Sequence, residues 1–109
     1  MLIGIGLAVT IIEIPVIYGD GIGPEITSAV LSVLDAAQSN SSLKLVWIPV
    51  AAGLSALAEG DELIPQRTLD EIARCRVALK GPCATPVGEG FTSINVKLRK
   101  TFNLYAAVR

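Results

Sequence analysis

Four polar side chains near the end of this 109-residue chain have types and spacing that suit a small polyanion: Ser93, Asn95, Arg99 and Arg109. Asn95 and Arg99 are four residues apart, the spacing that brings two side chains to one face of a helix. A guanidinium grips a carboxylate through two parallel N–H donors. Two arginines with a hydroxyl and an amide therefore fit a compact molecule carrying several carboxylates. Three of the four lie in the run from Lys80 to Arg99, Lys-Gly-Pro-Cys-Ala-Thr-Pro-Val-Gly-Glu-Gly-Phe-Thr-Ser-Ile-Asn-Val-Lys-Leu-Arg. That run starts as the end of an apolar strand, breaks at Gly81-Pro82, crosses a loop marked by Pro86, Gly88 and Gly90, and regains helical spacing at about Thr92. A helix start presents unpaired N–H groups and the positive end of the macrodipole, so an anion is favoured there.

Each residue also has a plainer reading. Ser93, with Thr92, suits a helix N-cap. Arg99 alone would be a solvated surface charge, like Lys97 and Lys100. The site reading rests on convergence at the mouth of one strand, where ligands of open α/β sheets sit. Arg109 joins it if the apolar run from Phe102 to Val108 folds back as a strand.

Other chemistry has less to work with. The glycine loop Gly19-Asp20-Gly21-Ile22-Gly23-Pro24-Glu25 does not fit the G-x-G-x-x-G spacing, and no G-x-x-x-x-G-K-[ST] run occurs. A tight structural turn is favoured there over a phosphate cradle. The chain has no His, and its two cysteines, Cys75 and Cys83, sit eight apart with no pairing motif. They read as reduced thiols in or near the core of an intracellular protein, and zinc or thiol–imidazole chemistry is disfavoured.

Hydrophobic residues make up 51% of the chain and charged ones 17%, against about 25% charge in an ordinary globular domain. Some of this apolar surface is expected to face a partner element. Net charge is −1, which argues against a nucleic-acid binder. Its distribution says more: residues 1–66 hold one Lys and seven acids (−6), residues 67–109 eight Lys or Arg and three acids (+5). The positive half is the half that carries the candidate anion site. The uncharged opening, residues 1–12, lacks a basic flank and is too short to span a bilayer, so a soluble, cytoplasmic protein is expected.

Positioning these side chains requires alternating strands and helices. Ile14, Val16 and Ile17 mark a first strand ending at Tyr18. Pro24 and Glu25 open a helix whose Ile26, Val30, Val33, Leu34 and Ala37 recur at helical spacing and are expected to face the sheet. Residues 43–48 read as a second strand, 51–59 and 68–74 as short helices, the latter with Leu69, Ile72 and Ala73 inward. Residues 77–79 read as a third strand and 102–108 as a fourth. The pattern predicts an α/β fold, a mostly parallel sheet flanked by helices.

From Ile14 to Arg109 the chain resembles the N-terminal part of the β-decarboxylating dehydrogenases, the group of isocitrate, isopropylmalate and homoisocitrate dehydrogenases. Gly-Asp-Gly-Ile-Gly-Pro-Glu is shared by that group. The runs Leu-Lys-Gly-Pro, Thr-Pro-Val-Gly, Ser-x-Asn-x-x-Leu-Arg and Leu-Tyr-Ala-x-Val-Arg are more specific and look like isocitrate dehydrogenase. The resemblance implies that Ser93 and Asn95 touch the substrate, Ser93 at its γ-carboxylate, and that Arg99 and Arg109 hold carboxylates. Isopropylmalate enzymes are apolar in this region, and a hydroxyl buried against an alkyl chain would cost about 1–3 kcal/mol unpaired. Thr85 is implied near the nicotinamide and the substrate, and Lys80 close to the site. Relatives often have two threonines after Lys-Gly-Pro-x; Ala84 stands at the first, leaving backbone contact alone to the cofactor there.

The implied reaction transfers hydride from C2 of isocitrate to NAD or NADP and then loses CO2, with Mg2+ or Mn2+ stabilising the enolate. The metal-binding aspartates, the acid–base groups and the adenosine-binding loop are implied beyond Arg109. The expectation is thus the N-terminal part, residues 1–109, of such a domain, a truncated chain inactive by itself, from a homodimeric parent. Two alternatives stay open. One is a homoisocitrate- or isopropylmalate-type enzyme; the other is a non-catalytic regulatory subunit that binds a tricarboxylate.

Overall fold

The computed structural model describes residues 9–88 and 90–106. Elements run β1 (Thr10–Ile17), α1 (Gly23–Gln38), β2 (Leu43–Pro49), α2 (Leu54–Ala58), α3 (Gln66–Cys75), β3 (Leu79–Lys80) and α4 (Ile94–Thr101). The strands form one parallel sheet in the order β2-β1-β3, with Ile14 opposite Trp47 and Val16 opposite Leu79. This is the expected α/β layer.

β1 is rich in β-branched residues, and it contains Pro15, which ladders normally exclude from central strands. The register explains the exception. β3 pairs only with Val16 and Ile17, so at Pro15 one side of β1 carries no described partner and the missing N–H costs little.

The chain steps from β1 to β2 on one side and from β2 across β1 to β3 on the other. Right-handed crossovers then place α1 and α3 on opposite faces of the sheet. On the α3 face Ile17, Ala52, Leu63, Ile64, Leu69, Ile72 and Ile94 form the core, with Leu98, Phe102 and Cys83 packed at its margin. Thr68 is fully buried there, its hydroxyl donating to the Ala51 carbonyl at 2.7 Å. Ala73, expected inward, is exposed, and Thr68 takes that place.

The α1 expectation is corrected more sharply. Its buried residues are Gly23, Thr27 and Leu31, with Leu34 and Gln38 partly covered. Ile26, Val30 and Val33 stay 44%, 38% and 67% exposed, and Ala37 is exposed too. Polar bonds set the rotation. The Thr27 hydroxyl donates to the Tyr18 carbonyl at 2.9 Å, the Leu45 N–H to Gln38 Oε1 at 2.6 Å, and Trp47 Nε1 to Asp35 Oδ1 at 2.9 Å. These bonds tie the Thr27, Gln38 and Asp35 side of the helix to the sheet and leave Ile26, Val30 and Val33 on its outer side.

Two strand expectations also change. Val77 is 42% exposed and β3 begins only at Leu79, because Arg76 ends α3 in the left-handed region (φ 62°) and the chain is still turning. Residues 102–106 are not a strand. Phe102 closes α4 against the core and Asn103, at φ 51°, turns the backbone; residues 107–108 lie outside the described set.

Candidate functional site

Because all three strands are parallel, the loops after Ile17, Pro49 and Lys80 leave the same edge of the sheet. The connection after β1 leads to α1 on one face and that after β3 to α4 on the other, so the crevice between β1 and β3 is the topological switch point. Two segments meet there, the glycine loop after β1 and the Gly81–Ala84 stretch after β3.

Their meeting is close. Gly81 N–H donates to the Ile17 carbonyl at 2.7 Å, and Asp20 N–H donates to the Pro82 carbonyl at 2.7 Å. A Cβ on Gly19 would overlap the Pro82 carbonyl oxygen, and one on Gly81 would overlap the Tyr18 carbonyl and the Thr27 hydroxyl. The glycines are there because backbone lies against backbone. The loop works as a clasp for the 81–84 segment, which agrees with its reading as a structural turn.

Asp20 completes the clasp. Its Oδ2 accepts from the N–H groups of Leu54 and Ala84, both at 2.9 Å, and its Oδ1 from that of Ser55 at 3.0 Å. Partial burial alone would raise this carboxyl, but the N–H groups of Leu54, Ala84 and Ser55 outweigh it and hold it below its ordinary value. The sequence reading does not single out Asp20. A carboxylate flanked by two glycines was the available signal.

Lys80 is half-buried and donates from Nζ to the Gly81 carbonyl at 2.9 Å. Burial pushes the Cys83 thiol up, the nearby Lys80 ammonium opposes this, and the Asp20 carboxylate adds to it. The net upward shift disfavours the thiolate, as expected for a structural cysteine. Cys75 and Cys83 are both free. Ala84 is exposed and fixed through its N–H, and Thr85 beside it is partly covered.

The second half of the site is α4. Ile94 is 2% exposed and anchors the helix, with Leu98 and Phe102 along the same side. Ser93 occupies the N-cap position, yet its hydroxyl makes no capping bond. Ser93, Asn95 and Arg99 are all exposed. Asn95 and Arg99 share a helical face turned from the core, while Ser93 stands at the helix start, about 9 Å along the axis from Arg99 by the helical rise. Among the described residues Arg99 has no ion-pair partner, whereas Arg67 pairs with Asp61 at 2.6 Å and Arg74 with Glu13 at 2.6 Å and with Glu71. Arg109 lies outside the described residues.

A cavity of about 610 Å3 lies elsewhere, lined mainly by apolar residues such as Ile17, Ile72, Val77, Leu98 and Phe102. Of the expected site residues only Lys80 touches it. No group of three or more His, Cys, Asp or Glu able to hold a metal occurs among the described residues. The metal implied by the resemblance therefore has no nest in them. No described helix is long and apolar enough to cross a membrane.

The open parallel sheet with helices packed on it defines an α/β unit. The profile of the isocitrate/isopropylmalate dehydrogenase family matches residues 13–109, and the chain belongs to that family. It is 50% identical over 96 residues to isocitrate dehydrogenase (NADP) of Haloferax volcanii and 48% identical over 99 residues to that of Aquifex aeolicus. Each comparison covers 88% of this chain and 23% of the relative, so the chain spans about a quarter of the length of these enzymes. Among solved structures, isocitrate dehydrogenase from Methylococcus capsulatus matches with a TM-score of 0.78 at 40% identity, over 86% of this chain and 26% of that one. A β-decarboxylating dehydrogenase from Thermococcus kodakarensis matches with a TM-score of 0.73 at 32% identity, over 86% and 27%.

Proposed function

We propose that this chain is the N-terminal, substrate-binding portion of an NADP-dependent isocitrate dehydrogenase. That enzyme oxidises isocitrate at C2, passes the hydride to NADP, and releases CO2 to give 2-oxoglutarate. The observation that carries the reading is the 50% identity, over 88% of this chain, to a relative named for that substrate and cofactor. Local chemistry supports it: a hydroxyl, an amide and a guanidinium stand exposed and without partners in the described structure on and beside the first turns of α4.

In this reading the Ser93 hydroxyl and the Asn95 amide orient the substrate, with Ser93 at the γ-carboxylate. Arg99 and Arg109 neutralise carboxylates, and Lys80 adds positive charge beside them. Ala84, through its backbone, and Thr85 lie against the nicotinamide. These residues position and neutralise. In this reading the parent enzyme, about four times the length of this chain as its relatives are, supplies the divalent cation's ligands and the proton-transfer groups elsewhere, and is a homodimer. NADP provides the hydride acceptor when bound.

Calorimetry on the full-length protein with isocitrate, homoisocitrate and isopropylmalate tests the reading. Isocitrate should bind tightest, and Ser93→Leu should weaken it at least tenfold, since a lost hydrogen bond to a charged group is worth about 1.5–3 kcal/mol. Because Ser93 is exposed, the variant should unfold like the parent. Unchanged isocitrate affinity in Ser93→Leu would remove the role given to Ser93. Preference for isopropylmalate or homoisocitrate would move the protein to another branch of its family. Isocitrate binding without turnover in the full-length protein would make it a regulatory subunit.

A further inference from the structure

We infer that Asp20 is the positioning residue of the candidate site: its carboxylate fixes the backbone that presents Ala84 and Thr85. This rests on the reading above only in what those two residues contact.

The geometry is specific to a carboxylate. One side chain collects three backbone N–H groups from two segments, Leu54 and Ser55 at the start of α2 and Ala84 in the loop after β3. The three donors lie 34, 35 and 64 residues from it in sequence. An ionised carboxylate offers only acceptors and satisfies all three at once, in charge-assisted bonds. An asparagine would turn an NH2 towards one set of donors. The bond at Ala84 is directly adjacent to Thr85, so any drift of Asp20 passes into the residue placed nearest the nicotinamide.

Room for the carboxylate is provided by Gly53. Its φ is +89°, and a Cβ there would overlap Asp20 Oδ2. Gly60 offers a control in the same helical region. It sits at φ +84° with nothing near the place of its Cβ, so Gly60→Ala carries a comparable backbone strain without touching the clasp.

The test uses the full-length protein carrying Asp20→Asn, Gly53→Ala or Gly60→Ala. Amide hydrogen exchange is read first, because it needs no activity. In Asp20→Asn and Gly53→Ala, exchange at Leu54, Ser55 and Ala84 should quicken together, by about tenfold or more, while Gly60→Ala leaves Ala84 as in the parent. In steady-state kinetics the KM for NADP should rise about tenfold in the first two variants, with the isocitrate KM moving less than about threefold. Loss of folded protein alone would lower kcat and leave both KM values in place, and that outcome overturns the inference. So does unchanged exchange at Ala84 in Asp20→Asn. If the parent protein turns over no isocitrate, the functional reading fails, and the exchange data still decide whether Asp20 holds the loop.

Discussion

The two halves of the candidate site are built on opposite plans. In the clasp, where the glycine loop meets residues 81–84, the Asp20 carboxylate and the N–H groups of Asp20, Gly81 and Ala84 all have partners within the chain, and backbone touches backbone. Along α4 one side is sealed into the core through Ile94, whereas Ser93, Asn95 and Arg99 point their polar groups outwards with no partner in the described structure. Buried polar groups must find partners inside the chain, whereas exposed ones are satisfied by water and stay open to other partners. The contrast separates a self-satisfied scaffold from a polar surface left open to solvent.

Substitutions can break the contrast on either side, and the parent protein's unfolding free energy measures the result. Ile94→Ala should have the largest effect, about 3 kcal/mol, because it empties a site that is 2% exposed where α4 joins the core. Gly81→Ala should follow at about 2 kcal/mol, since its Cβ meets the Tyr18 carbonyl and the Thr27 hydroxyl and the clasp must open to admit it. Should Gly81→Ala cost nothing, the close approach of the two loops would be refuted.

The smallest expected effect is a pH dependence. The folded-state pKa of Asp20 is depressed, so the unfolded chain binds the proton more readily. The stabilisation is complete above the ordinary carboxyl value of 3.8 and is lost as pH falls through the lower folded value. The gap in stability between the parent protein and Asp20→Asn should therefore be constant from pH 7 down to about 5 and narrow below about 4. A gap that widened on acidification would mean that the carboxyl is not the ionised acceptor described.

Much of the architecture was legible locally. Gly23-Pro24-Glu25 marks a helix start and Pro49 the end of a strand, and alternating strand and helix signals lead to the parallel sheet that is found. The α4 candidates were legible as a spacing. What was not legible lies at longer range. Val77 looks like strand because it is β-branched, but a left-handed Arg76 before it delays the pairing. Residues 102–108 look like strand because most of them are apolar, but over the described part Phe102 is consumed by the core and Asn103 turns the chain.

α1 shows where the boundary runs. Its sequence guarantees a helix with apolar residues on more than one side, because periodicity depends on neighbours three and four places away. Which side faces the sheet was decided by Tyr18, Leu45 and Trp47, whose bonds to Thr27, Gln38 and Asp35 cannot be read from any window of the helix. The same holds for Asp20. Its type and its glycine neighbours are written in the chain, but its three donors come from up to 64 residues away, and only folding brings them to one carboxylate.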